Sequence, residues 1–388
     1  MKTIATTLGP LAVRHLAGML ALGFAALAAL PMPAEAACLA GESAGSTSAV
    51  PAPNSHGLNL LSLCFVNGTS SRLVDLVFQT PALPEPVHTF VYLPSTYATS
   101  GSARYATLYL LHGGLPEDNA LSWPHNNVAS IVDSSNFKGI VVMPEGGKAG
   151  WYTDWQGADG KGRRPLWQTF HISDLVPWID ANLRTVASAS SRAVAGASMG
   201  GYGALAYAGQ YPNLFSAVGS FSGAANIQDT ATQQLAIANL TTLFAGTAIT
   251  MSEMPINGGS LDHLVSDVQL VFGPYSTWAQ KNPSANPTAY SSFHVALYAG
   301  SGSATNNGDL PYLPDNPADA GQWMEYVVRA DNAKLHSALK SSGIAHRYCA
   351  GAGFHDPVKW QADLVDFLQV ITGSPAATCP NGWGAPRS

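Results

Sequence analysis

Arg192-Ala193-Val194-Ala195-Gly196-Ala197-Ser198-Met199-Gly200-Gly201-Tyr202-Gly203-Ala204-Leu205 is the stretch that decides how this chain folds. Arg192 to Ala195 reads as a short apolar strand and Gly200 to Gln210 as a helix. Between them, Gly196-Ala197-Ser198-Met199-Gly200 matches Gly-x-Ser-x-Gly, in which small residues let the backbone turn sharply and leave a serine hydroxyl exposed. The pattern alone is weak, because Gly41-Glu42-Ser43-Ala44-Gly45 also satisfies it with no strand before it and no helix after it. Context selects Ser198 as the candidate nucleophile. The competing reading is a plain strand-to-helix crossing built of small residues.

Working outward, strand and helix patterns alternate. Leu73 to Gln79 and Val87 to Leu93 are β-rich, and Thr107 to Leu111 is an unbroken apolar run stopped by His112-Gly113-Gly114. Gly139 to Met143 repeats that form before Pro144-Glu145-Gly146-Gly147, and a helix is predicted from Phe170 to Leu183. Strands follow at Ala217 to Phe221 and Phe293 to Ala299. Then come a long helix over roughly Ala320 to Ser342, a short strand at Arg347 to Cys349 and a helix from Val358 to Ile371. Such alternation predicts an α/β fold whose mostly parallel sheet is covered on both faces. Residues 58–388 read as one domain, interrupted over 223–290 by an insertion suited to a cap and holding a predicted helix at Thr230 to Leu243. Residues 37–57, rich in Ala, Ser, Gly and Pro without periodicity, read as a linker, tied down by Cys38 if at all, with order beginning near Leu58.

Composition narrows the function. The chain has 388 residues, 46% of them hydrophobic and only 11% charged, with a formal net charge of −6, which argues against a nucleic-acid partner. Residues 1–36 carry Lys2 and Arg14, an apolar run from Leu16 to Leu30 and Ala34-Glu35-Ala36, the order of a cleavable secretory signal. That run is shorter than the roughly 20 residues needed to cross a bilayer, so a secreted or periplasmic protein without a transmembrane segment is expected. Cys38, Cys64, Cys349 and Cys379 all lie in the exported part. Loop-closure entropy favours the local pairs Cys38–Cys64 and Cys349–Cys379 over the other pairings, and no pair is spaced like a zinc site.

A serine at such an elbow needs donors for an oxyanion, one from the residue after it and one from an earlier strand-end loop. Met199 supplies the first, and Gly114, in the glycine loop after the Thr107 to Leu111 run, is the candidate for the second. The base is expected late in the chain. Of 11 histidines, His355 ends the Gly351-Ala352-Gly353-Phe354 loop past the last strand, with a closing helix behind it. The acid is not legible from spacing: the strand Phe293 to Ala299 is followed by Gly300-Ser301-Gly302-Ser303, leaving Asp309, Asp315, Asp319 and Glu325 as candidates. No metal or cofactor is called for.

Tyr109-Leu110-Leu111-His112-Gly113, Met143-Pro144-Glu145-Gly146-Gly147, Trp151-Tyr152-Thr153-Asp154-Trp155, the Ser198 elbow, Phe272-Gly273-Pro274 and Glu325-Tyr326-Val327-Val328-Arg329 through His355 together resemble the secreted esterase family that includes the antigen 85 mycolyltransferases. The resemblance runs from about Arg72 to Ile371 and implies the α/β-hydrolase fold. It also implies Glu325 as the acid, with Asp309 as runner-up. Where the mycolyltransferases carry an Asp before the oxyanion glycine and an Arg after it, this chain has His112 and Leu115-Pro116, and Pro357 replaces a Trp that follows their histidine. The ester-cleaving machinery is therefore carried over, and the mycolate and trehalose assignment is not.

Trp151, Tyr152 and Trp155, with Trp167, cluster after the Gly146-Gly147 loop and are candidates to wall a substrate pocket, against ordinary core packing. The reading is a serine esterase acting on small-molecule or polymer-linked carboxylic esters, with Ser198, His355 and Glu325 as a triad. The alternatives are acyl transfer to a sugar or lipid alcohol, and a non-catalytic binding protein on a hydrolase scaffold.

Overall fold

In the computed structural model, which describes residues 38–69, 71–114, 118–147, 149–158, 163–233, 236, 268–302 and 317–387, the apolar runs form the centre of a mixed sheet. Its strands are β1 (Glu42–Ala44), β2 (Asn54–Ser55), β3 (Leu58–Val66), β4 (Leu73–Gln79), β5 (Val87–Tyr92), β6 (Thr107–Leu111), β7 (Ile140–Pro144), β8 (Arg192–Ala197), β9 (Ala217–Phe221), β10 (His294–Ala299) and β11 (His346–Ala350). They lie in the order β1-β3-β4-β5-β7-β6-β8-β9-β10-β11, with β2 paired to β3. The ladders joining β7, β6, β8, β9, β10 and β11 are parallel. Those from β1 through β5 to β7 are antiparallel. The antiparallel half is larger than the alternation predicts, and the cause is connection length. Residues 67–72 and 80–86 are too few for the crossover of a dozen or more residues that a parallel pair demands.

The strands that read as unbroken apolar runs are buried on both faces. In β6, Leu108 and Leu110 face one core while Tyr109 and Leu111 face the other, and β7 divides Val141 and Met143 from Ile140 and Val142 in the same way. Each fully buried large apolar side chain contributes about 1.5–3 kcal/mol. One face is covered by α1 (Ser122–His125), α2 (Val128–Ser134) and α6 (Pro357–Ile371), through Trp123, Val128, Val132, Trp360, Leu364 and Phe367. The other is covered by α3 (Val176–Asn182), α4 (Met199–Gln210) and α5 (Pro317–Ser341), through Trp178, Ile179, Tyr202, Leu205, Leu335 and Leu339. The helix expected over Phe170 to Leu183 is split, with a π-helical stretch at Thr169–Leu175 leading into α3.

Residues 38–57 are tied down at Cys38 and carry a strand of their own. Glu42–Ala44 adds a strand antiparallel to Leu58–Val66, and the Cys38–Cys64 disulfide fastens the segment to that strand. Cys349 pairs with Cys379, as loop-closure entropy predicts. Of the expected insertion, residues 223–233, 236 and 268–290 are described, and Ala225, Ile227, Phe272 and Trp278 join the core beneath α4. The rest of it, most of the helix predicted at Thr230 to Leu243, the segment 1–36, Asp309 and Asp315 lie outside the described residues. Among the described residues, no helix is long and apolar enough to cross a membrane.

The chain passes from β6 to β7 on one side of β6 and returns to β8 on the other. β6 and β8 are thus neighbours at a topological switch point, with Leu111 paired to Gly196 at their C-terminal ends. Loops leaving two adjacent parallel strands diverge there and open a crevice.

Candidate active site

At that crevice the chain makes its sharpest turn. Ser198 has φ 55° and ψ −120°, a conformation costly for any residue with a side chain, of order 1–3 kcal/mol. Two glycines make it fit. A Cβ on Gly196 would strike the carbonyl of Gly200, and one on Gly200 would strike the carbonyls of Leu111 and His112. The Ser198 amide donates to the Phe221 carbonyl at 2.8 Å, pinning the turn to the end of β9.

His355 reaches this serine from the loop after β11. Its Nε2 lies 2.7 Å from Ser198 Oγ, and its Nδ1 lies 2.7 Å from Glu325 Oε2. The His355 side chain is 0% exposed and the Glu325 side chain 1%. A carboxylate accepts, so Nδ1 carries the proton and Nε2 is left to accept from the serine hydroxyl. Local sequence explains the placement. Asp356 caps α6 by accepting from the Val358 amide at 2.8 Å, and Pro357 starts the helix, so the chain has a fixed direction immediately after His355. Trp360, one turn into α6, packs edge-on against the imidazole with centroids 4.9 Å apart.

Glu325 enters from α5 rather than from the loop after β10. Its Oε1 accepts from the Ser222 hydroxyl at 2.8 Å and from the Gly300 amide, so both carboxylate oxygens are engaged. Ser222, at the end of β9 with φ 50°, is a supporting residue that sequence reasoning missed. Asp319 lies on α5 as well, six residues before Glu325.

Met199, the other residue expected at the oxyanion, is the first residue of α4, where amides have no partner inside the helix. The Gly113-Gly114 loop is buried beside Ser198, since a Cβ on Gly113 would come within 3.4 Å of Ser198 Cβ. The buried His112 pairs with the partly exposed Glu145 carboxylate, Nε2 to Oε1 3.3 Å. Burial opposes protonation of His112, but the Glu145 carboxylate outweighs it and holds the imidazole above its ordinary value. Burial would raise Glu145, yet His112 and the amides of Ala120 and Gly147 hold it below its ordinary value.

His171, His336 and His346 have partners of their own. His171 is buried between the Glu145 carbonyl and the Tyr207 hydroxyl, both at 2.8 Å, and burial pushes its pKa down to about 3. His336 and His346 hydrogen-bond to each other at 2.7 Å near the start of β11. Trp151, Tyr152 and Trp155 are 2%, 0% and 5% exposed and sit in the core rather than on an open wall. Trp151 packs on Tyr202 and Phe272, and Tyr152 on His171 and Tyr207. Their link to the site is through its supports: the Tyr152 hydroxyl donates to the His112 carbonyl at 2.9 Å, and the Trp151 amide faces Met199 Sδ at 3.4 Å. Among the described residues, the one cluster with the spacing of a metal site is Cys38, Glu42 and Cys64, and the disulfide leaves it no thiolate.

A serine at a strained strand-to-helix turn, an imidazole behind it and a carboxylate behind that, on a sheet covered by helices on both faces, define an α/β hydrolase. The model of the family described as putative esterase matches residues 80–371, and the chain belongs to that family. It is 41% identical over 162 residues to Esterase Rv1288 of Mycobacterium tuberculosis, a match covering 42% of this chain and 34% of that protein. The match thus spans about a third of that relative's length. It is 30% identical over 301 residues to the diacylglycerol acyltransferase/mycolyltransferase Ag85A of Mycobacterium tuberculosis, covering 74% of this chain and 79% of that one. Among solved structures, Mycobacterium tuberculosis MPT51 superposes with a TM-score of 0.55 at 20% identity, over 78% of this chain and 99% of that chain, a likeness of fold.

Proposed function

We propose that the protein is an exported serine esterase that hydrolyses carboxylic esters through an acyl-enzyme. The observation that carries this reading is the continuous hydrogen-bonded line from Ser198 through His355 to Glu325, each link 2.7 Å long. Ser198 Oγ attacks the ester carbonyl as His355 Nε2 takes its proton. The tetrahedral oxyanion forms against the Met199 and Gly114 amides, and the imidazolium returns the proton to the leaving alcohol. A water molecule then repeats the sequence in reverse and releases the acid. Glu325 orients the imidazole and stabilises its positive charge while Ser222 and Gly300 hold the carboxylate. Two disulfides, which persist in oxidising compartments, support export.

Acyl transfer to an alcohol is the second reading, favoured by the 30% identity to a relative named as an acyltransferase. Both readings share the acyl-enzyme and differ in what attacks it. Product analysis with a nitrophenyl ester and an added sugar or glyceride alcohol tests the choice. Free acid is expected to dominate, and a predominance of new ester overturns hydrolysis in favour of transfer.

A further inference from the structure

His112 has no part in the chemistry described so far, yet it is 1% exposed and engaged on both ring nitrogens. Its Nδ1 lies 2.7 Å from the Gly113 carbonyl oxygen, and the Gly146 amide donates to its Nε2 at 2.8 Å. A carbonyl only accepts, so Nδ1 carries a proton. That assignment is the same in either charge state: Nε2 accepts from Gly146 when neutral, and donates toward Glu145 when protonated.

The Gly113 carbonyl and the Gly114 N–H belong to one planar peptide unit. The described residues contain no cis peptide bond, so the two groups point in opposite directions, and fixing the oxygen fixes where the N–H aims. A hydrogen bond to the oxygen also polarises the amide and strengthens its N–H as a donor. Neither glycine carries a side chain to restrict this peptide's orientation. The anchor itself is stiff. The Tyr152 hydroxyl holds the His112 carbonyl, and Glu145 accepts from Ala120 at 2.9 Å and Gly147 at 3.0 Å.

We propose that His112 is the positioning residue of the oxyanion pocket, its Nδ1–H holding the Gly113 carbonyl so that the Gly114 N–H is aimed at the tetrahedral oxyanion. This rests on the assignment of Ser198 and Gly114 in the proposed function. Asn and Gln separate the two ring nitrogens, because Asn puts an N–H close to the Nδ1 position whereas Gln reaches only the Nε2 position. The test is kcat per active site, titrated with a fluorophosphonate, for the full chain and its His112→Asn and His112→Gln variants on one nitrophenyl ester. His112→Asn is expected to stay within about fivefold of the parent, and His112→Gln to lose about 10- to 100-fold in kcat with KM changed less than about threefold. Equal rates in the two variants, or a loss confined to KM, overturn the proposal. Should neither variant fold, ¹⁵N-histidine spectra of the unmodified protein decide: a protonated Nδ1 on His112 is expected, and a ring protonated on Nε2 alone overturns it. The two readings fail separately, since turnover that survives Ser198→Ala overturns the nucleophile and this proposal with it. Turnover lost in Ser198→Ala but indifferent to His112→Gln overturns the positioning role alone.

Discussion

Glu325→Gln isolates the carboxylate's task with almost no change of shape. The side chain is 1% exposed, so the new amide has no water to turn to and must use the partners already present. Those partners are His355 Nδ1 on one oxygen, and the Ser222 hydroxyl with the Gly300 amide on the other. The Gly300 N–H can only donate, so it requires the Gln oxygen on its side and sends the NH2 toward His355. Nδ1 then has to accept, the ring proton moves to Nε2, and the nitrogen facing Ser198 Oγ at 2.7 Å no longer accepts its proton. A triad whose histidine is held in the wrong tautomer loses about 10⁴ in kcat, or about 5.4 kcal/mol of transition-state stabilisation. The assay is initial-rate hydrolysis of a nitrophenyl ester at pH 7.5, with circular dichroism to show equal folding. Asp309→Asn, the competing acid, is expected to stay within about twofold of the parent. A Glu325→Gln variant keeping more than about a tenth of the parent rate refutes the reasoning, as does an Asp309→Asn variant that is the more damaged of the two.

Three further outcomes follow from other parts of the molecule. Asp331 is fully buried, its Oδ2 accepting from Thr232, and burial raises its pKa to about 7. The folded state therefore holds this proton more tightly than the unfolded one. Stability from this group is complete below about pH 4 and is lost as pH rises through about 7, by at most about 4 kcal/mol. Asp331→Asn, neutral throughout, should flatten the dependence of urea midpoint on pH between 5 and 8, and parallel curves for the two proteins contradict this. The Cys349–Cys379 bridge spans a sequence separation of 30, so replacing both cysteines with serine should lower unfolding free energy by about 3–4 kcal/mol, read from urea melts; an unchanged midpoint contradicts the entropic account. Gly200→Ala drives a Cβ into the backbone carbonyls of Leu111 and His112 and should cost about 1–3 kcal/mol or more, whereas Gly101→Ala, with nothing within 4 Å, should fall within about 0.5 kcal/mol of the parent.

The parallel half of the fold and the sharp turn at Ser198 were legible because they depend on local pattern. An apolar run of five residues ending in glycines announces a buried strand, and Ser198 stands where such a strand meets a helix. The strand Glu42–Ala44 was not legible, because three residues have no periodicity to detect; what orders it is a disulfide and a register set by distant residues. The proposed acid, Glu325, was illegible from spacing because it lies in the middle of a helix, where its approach to His355 depends on how α5 lies across the sheet, and only the family resemblance pointed to it. Ser222 gave no signal at all, since a buried hydroxyl at a strand end looks like any small residue. Composition left Trp151, Tyr152 and Trp155 as either a pocket wall or core, and in the fold all three are buried, with α4 and the Phe272 segment packed on Trp151 and the Tyr152 hydroxyl bonded to the His112 carbonyl.

The most direct test of the central claim is to trap the acyl-enzyme. The full chain is mixed with an activated nitrophenyl ester, quenched in acid during the first turnover, and mapped by peptide mass spectrometry. One acyl group is expected on the peptide that contains Ser198, absent from the Ser198→Ala variant and formed far more slowly in His355→Ala. An acyl group found on another residue, or full ester turnover by Ser198→Ala, contradicts the account.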